Sequence, residues 1–192
     1  MRAPTTQYKP IGSKQGFTLL EILVVVVLIG ILSAVIVARD PGSAERKLQR
    51  AAFEVKSAVL VARTEAMRTG DSYGLIANTS SQTIKTYHLN DTIWPPIIEY
   101  TVRHPQTKNL LVLQFGVSEA LKDVSLSSVS ISPKPSAASY NNMFGFDAAG
   151  MPNYYDGYDF GRLNIATFTI SAGGRSKTII VNPDTGRVVI QP

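Results

Sequence analysis

FTLLEILVVVVLIGILSAVIVA, from Phe17 to Ala38, is a run of 22 residues with a single charge, Glu21. As a helix rising 1.5 Å per residue it spans about 33 Å, enough for a hydrocarbon core of about 30 Å. Its four consecutive valines favour a strand in water. In lipid that preference is overruled, because a helix satisfies every backbone polar group within itself. Lys9 and Lys14 precede the run, and the positive-inside rule places residues 1–16 on the cytoplasmic side.

Around this run the chain is small and chemically plain. It has 192 residues, 44% of them hydrophobic and 17% charged, with a formal net charge of +5. That is room for one domain and an appendage, and it excludes both a disordered polyelectrolyte and a polytopic membrane protein. There is no cysteine, so disulfide scaffolds, Cys-based zinc sites, iron–sulfur clusters and thiol nucleophiles are ruled out. Arg2, Lys9 and Lys14 supply three of the five net charges, leaving +2 for residues 17–192. A basic pI is then a poor argument for nucleic-acid binding.

A secretory signal peptide or plain anchor is the simplest reading of the run. Ala34 and Ala38, with Ser33 nearby, offer a loose cleavage site. The run, however, exceeds the apolar core of about 7–15 residues usual in signal peptides. Glu21 is the second objection: a carboxylate in an apolar helix costs roughly 2.5–3.5 kcal/mol at mid-membrane, and an anchor gains nothing from it. Cutting after Gly16 makes Phe17 the new N-terminus. Its free amine then lies at the depth of the Glu21 carboxylate of a neighbouring chain, and pairing the two offsets the desolvation of both.

At this point KQGFTLLEILVVVVLIGILSAV resembles the type IV pilin signature: a basic leader ending in Gly, then Phe-Thr-Leu-x-Glu, then an apolar helix. The resemblance implies a prepilin peptidase that cuts between Gly16 and Phe17 and methylates the Phe17 amine, with Glu21 acting in subunit assembly. Gly30 stands where pilins often carry a helix-loosening glycine. Ala38 occupies the usual place of a helix-bending proline, and Pro41 follows three residues later.

After a short break at Asp40-Pro41-Gly42, apolar residues recur at Leu48, Ala51, Ala52, Val55, Val59, Ala62 and Ala66, which predicts an amphipathic helix over Ser43–Thr69. Ser43 is the expected N-cap and Gly70 the expected C-cap. Strands are expected at Ser72–Ala77, Thr83–Leu89, Ile97–Val102, Leu110–Phe115, Asp123–Ile131, Met143–Phe146, Asn164–Ser171, Lys177–Val181 and Val188–Ile190. Turns or loops fall at Asn78–Gln82, Ser132–Asn142 and Asn182–Gly186, and a short helical turn near Ser118–Lys122. The fold class is α+β: a long N-terminal helix, half transmembrane and half amphipathic, packed on an antiparallel β-sheet. The expected organisation is a leader at 1–16, a transmembrane and assembly helix at 17–38, and a periplasmic pilin-like domain at 39–192.

Leu60-Val-Ala-Arg-Thr-Glu-Ala66, Phe144-Gly-Phe-Asp-Ala-Ala-Gly150 and Thr178-Ile-Ile-Val-Asn-Pro-Asp-Thr-Gly-Arg-Val188 resemble the GspH/FimT group of minor pseudopilins and minor pilins. The implied function is a non-enzymatic structural subunit of a type II secretion pseudopilus or type IV pilus, held in the bacterial inner membrane before assembly. Its partners would be other pilin or pseudopilin subunits, the prepilin peptidase and inner-membrane lipid.

Other chemistry is sparse. His88 and His104 have no nucleophile or orienting carboxylate at useful spacing. Asp147, Asp156 and Asp159 could supply oxygens to Ca²⁺, but a solvated loop is the better reading of them, and no metal or cofactor is expected. Tyr154, Tyr155, Tyr158 and Phe160 suit either an exposed binding patch or a loop-closing core. Some FimT-like proteins bind DNA through a basic stretch near the C-terminus. Arg175 and Lys177 in Gly-Arg-Ser-Lys, and Arg187 in Gly-Arg-Val-Val, are the candidates here. A DNA-binding minor pilin is therefore the alternative function, although the near-neutral mature charge argues against nucleic acid as a partner.

Overall fold

A computed structural model describes residues 17–38, 41–90, 96–134, 142–155 and 160–192, with the side chains of 34–38, 41 and 160 excepted. The chain forms two units, Met1–Asp40 and Pro41–Pro192.

In the first unit, helix α1 runs Leu19–Ala38 without interruption at Gly30. Among the described residues no helix is long and apolar enough to cross a membrane, the side chains of α1 being described only as far as Ser33. Its backbone is helical for 20 residues, about 30 Å.

The second unit opens with helix α2, Pro41–Thr69. The helix starts two residues before the expected Ser43 cap, so Pro41 and Gly42 form its first turn instead of a break. Proline suits the first helical position, where its missing N–H has no helical acceptor to lose. At the other end Gly70 caps as expected, its N–H reaching Ala66 O at 2.9 Å.

All strands pair antiparallel. They are β1 (Ser72–Asn78), β2 (Thr83–Asn90), β3 (Ile97–Glu99), β4 (Val112–Gln114), β5 (Ser125–Lys134), β6 (Met143–Phe146), β7 (Pro152–Tyr155), β8 (Phe160–Ala172), β9 (Arg175–Val181) and β10 (Val188–Gln191). The sheet order is β10-β9-β8-β7-β6-β1-β2-β3, with β4 on β2 and β5 on β8. Strand β8 is the branch point. Its first residues pair with β7 and its later ones with β9, while β5 lies along its other edge for most of its length. A register shift between Leu126 and Ser128 bends β5 where it meets β8.

Several boundaries differ from expectation. The third and fourth strands are short, because Tyr100–Leu111 is a turn-rich connection closed by an Arg103–Leu110 bridge. Strand β7 was not expected; its Pro152-Asn-Tyr-Tyr reads as a loop until it is paired between β6 and β8. The expected loop at Ser132–Asn142 begins as strand through Lys134, and residues 135–141 lie outside the described residues. The helical turn near Ser118 is a 3-10 turn, Glu119–Leu121.

Helix α2 covers the branched sheet. Leu48, Ala51, Ala52, Val55, Ala58, Val59, Ala62 and Ala66 are all buried against Leu75, Phe144, Phe146, Phe168, Ile170 and Ile179. Five of those eight helix residues are alanine, which lets the helix axis come close to the aromatic sheet face. A smaller cluster on the opposite face joins Tyr87, Leu89, Met143 and Tyr155. Burial pushes the Tyr87 phenol well above its ordinary range.

Candidate functional site

The N-terminal signature is placed on the first turn of α1. Thr18 is the residue before the helix. Its carbonyl accepts from Glu21 N at 3.1 Å and from Ile22 N at 3.3 Å, and its Oγ1 accepts from Glu21 N at 3.2 Å. Thr-Leu-Leu-Glu is thus also a Thr-x-x-Glu capping sequence, with Glu21 at the third helical position. A carboxylate in the first turn is favoured by the positive end of the helix dipole. Glu21 therefore has a local use that the sequence reading did not assign, and its place near the helix end lowers its cost in lipid. Phe17, before Thr18, is 80% exposed. Gly16 lies outside the described residues.

In the domain, the three stretches singled out from the sequence meet. A side chain on Gly186 would stand 3.0 Å from the Phe146 ring, 3.3 Å from Gly150 O and 3.4 Å from Arg63 Cζ. Gly186 also holds a φ of +66°, so both space and conformation demand glycine. A side chain on Gly150 would stand 3.1 Å from Arg63 Nε and 2.8 Å from Met67 Sδ. The Arg63 guanidinium thus fills the gap between two turns, and its buried Nε has no hydrogen-bond partner among the described residues.

Each turn is tied by its own side chain. Asp147 Oδ1 accepts from Ala149 N and Met151 N, both at 2.9 Å, and Oδ2 accepts from Asn153 Nδ2 at 3.2 Å. Asn182 Oδ1 accepts from Asp184 N at 3.0 Å, Thr185 N at 2.9 Å and Thr185 Oγ1 at 2.9 Å. These are self-closing Asx turns. The junction offers no nucleophile and no proton-transfer pair; what it supplies is fixed geometry for α2 and two turns.

The remaining candidates resolve individually. Spacing along the chain offers His88 no orienting carboxylate, but the fold brings two: Asp71 Oδ2 stands 3.5 Å from its Nε2 and Glu99 Oε2 3.6 Å from its Nδ1. Strand pairing of β2 with β1 and β3 creates this contact across residues 17 and 11 positions apart. His104 closes its own loop, with Nδ1 accepting from Gln106 N and Thr107 N. Tyr154 and Tyr155 are buried, so they close the core; Asp156, Tyr158 and Asp159 lie outside the described residues. Among the described residues no group of three metal-ligating side chains comes together.

The three DNA candidates are not brought together. Arg175 and Lys177 lie at the start of β9, where Lys177 Nζ meets Glu45 Oε1 at 2.8 Å and Arg175 approaches Glu45 Oε2 at 3.6 Å. Arg187 follows β9, roughly 20 Å away by strand rise.

A hydrogen bond from Lys177, foremost, holds the Glu45 carboxyl below the ordinary glutamate range, and one from Lys47 does the same for Asp123. Because these folded-state values are depressed, the stabilisation is present above the unfolded carboxyl range near pH 4 and is lost as pH falls through the lower folded values. Unfolding of residues 41–192 is expected to have a flat midpoint from pH 7 to 5 and a falling one below about pH 4. Glu45→Gln should make that fall shallower; an identical acid profile would remove this ion pair from the account.

Residues 11–37 match the family described as the prokaryotic N-terminal methylation motif. No curated protein sequence matches the chain. Two solved structures are similar in shape. The minor pseudopilin EpsH from the Type 2 Secretion System of Vibrio cholerae aligns at 10% identity with a TM-score of 0.47, over 75% of this chain and 95% of that one. The type IV minor pilin FimU of Pseudomonas aeruginosa aligns at 14% identity with a TM-score of 0.40, over 77% of this chain and 90% of that one. In its N-terminal segment, then, the chain carries the prokaryotic N-terminal methylation motif, which reaches from residue 11 into helix α1.

Proposed function

We propose that the chain is a structural minor subunit of a type IV pilus or a type II secretion pseudopilus, of the GspH/FimT kind, and not an enzyme. The observation that carries this reading is the methylation motif at residues 11–37, which continues into an apolar helix with a Thr18–Glu21 cap. A prepilin peptidase removes residues 1–16 between Gly16 and Phe17 and methylates the new amine. Residues 17–38 hold the subunit in the inner membrane, with residues 39–192 in the periplasm. During assembly the Phe17 ammonium meets the Glu21 carboxylate of a neighbour, which fixes the axial register of one helix against the next. The α2-covered sheet then forms the outward part that selects partner subunits, and Arg63 with its two turns holds one end of that part rigid.

The direct test is N-terminal mass analysis of the protein from its host. The expected species begins at methylated Phe17. A chain that begins at Met1, or after Ala34 or Ala38, would overturn the proposal.

A further inference from the structure

The segments around the start of α2 are cationic. Arg46, Lys47 and Arg50 are exposed on its first turns, and Lys122 is exposed beside the 3-10 turn. These four share one groove with Ser43, Glu119, Ala120 and Asp123. The β8–β9 hairpin adds Arg175 and Lys177 through Glu45. Among the described residues six cations thus face three carboxylates, Glu45, Glu119 and Asp123, with Lys47 held to Asp123 at 2.7 Å. Val117, two residues before Glu119, is 69% exposed. An excess of positive charge beside an exposed apolar tip is the pattern of a surface that meets lipid headgroups.

Covalent position selects the partner. Only residues 39 and 40 stand between α1 and α2 in the sequence, so the cationic end of the domain follows α1 directly along the chain. We propose that this cationic end of the domain binds the anionic headgroups of the membrane that holds α1, keeping the subunit on the membrane surface until it is assembled. The proposal rests on the reading of α1 as a membrane helix. Duplex DNA would also offer phosphates, but Arg187 lies beyond the far end of β9, away from Arg175 and Lys177. A headgroup layer needs only a cluster next to the point of insertion.

The chain has no cysteine, so single introduced cysteines take a fluorescent label cleanly. The full chain is reconstituted in vesicles of phosphatidylcholine alone or mixed with phosphatidylglycerol, with a spin-labelled headgroup as quencher. One label is placed at Val117→Cys and a reference label at Leu28→Cys in α1. The Leu28 position should be shielded from water in both lipids. The Val117 label should be quenched more strongly with phosphatidylglycerol than without it. That difference should vanish in high salt, where the Debye length falls from about 10 Å at 0.1 M to about 3 Å at 1 M. Lys47→Glu with Arg50→Glu and Lys122→Glu should reduce quenching to the phosphatidylcholine level. The milder pair Arg50→Gln and Lys122→Gln should give a partial loss.

Equal quenching in the two lipids, or no loss with either variant set, would overturn the headgroup contact. A water-exposed Leu28 label would overturn the membrane reading of α1 itself. Duplex DNA that binds the protein in phosphatidylcholine vesicles, and is released by the same substitutions, would reassign the cations to nucleic acid.

Discussion

Glu21→Gln is expected to abolish incorporation of the subunit into its filament while leaving cleavage and membrane insertion intact. The choice of glutamine follows from the first turn of α1. Glu21 is three residues after the capping Thr18, and a capping sequence accepts Gln as well as Glu at that position. The start of the helix is therefore preserved and only the charge is removed. Insertion should survive or improve, because an uncharged side chain enters lipid more easily. On the proposed processing, cleavage depends on Gly16, which is unchanged. On the proposed assembly contact, what is lost is the counter-charge for a neighbour's Phe17 ammonium. Leaving one member of a buried pair alone costs about 3 kcal/mol or more, which is at least a hundredfold in association. Thr18→Ala is the matched control. It should cost about 1 kcal/mol of helix stability while keeping the carboxylate, and should still assemble. The measurement is co-purification with sheared filaments and with partner minor subunits. Equal recovery of the Glu21→Gln and unmodified proteins would reduce Glu21 to a helix-capping residue.

Gly74→Ala should be the most damaging small substitution in the sheet. Gly74 lies in β1 opposite Tyr87 of β2 on one side and Gly145 of β6 on the other. The Tyr87 ring lies across this glycine pair. A methyl on Gly74 would fall on the Phe144 carbonyl oxygen and stand 2.6 Å from both Cζ and Oη of Tyr87. Neither neighbour can give way easily: one is ladder backbone, and the other is a buried ring held by Leu89, Met143 and Tyr155. A loss of about 3 kcal/mol is expected, the upper part of the usual range for overpacking, and roughly 10 °C in Tm for a domain of this size. Gly145→Ala meets its nearest atom at 2.9 Å and should cost less. Thermal unfolding of residues 41–192 tests both. If Gly74→Ala were as stable as the parent, the sheet would have to be repacked around Tyr87.

Legibility of the fold tracked the range of the forces involved. The spacing of Leu48, Ala51, Ala52, Val55, Val59, Ala62 and Ala66 marks α2 because helical periodicity is a local property of the chain. The same holds for the Asn182–Gly186 turn, which its own residues close. Strand β7 was missed because Pro152-Asn-Tyr-Tyr has neither alternation nor a branched run. Its strand character comes from two neighbours that the sequence does not bring together. The two carboxylates at His88 were missed for the same reason, since strand register and not spacing puts Asp71 and Glu99 beside it.

The sequence by itself determined that residues 17–38 form an apolar helix preceded by cations, that Phe17 and Glu21 stand within the N-terminal methylation motif, and that an amphipathic helix precedes a β-rich domain. These follow from hydrophobicity, charge and period, which are written residue by residue. Only the tertiary structure decided that Arg63, Gly150 and Gly186 form one junction, that Glu45 holds Arg175 and Lys177, and that Arg187 stands apart from them. Such contacts depend on how α2 and the branched β8 are packed. Packing sums many weak interactions over residues far apart in the chain, so no single stretch of sequence contains it.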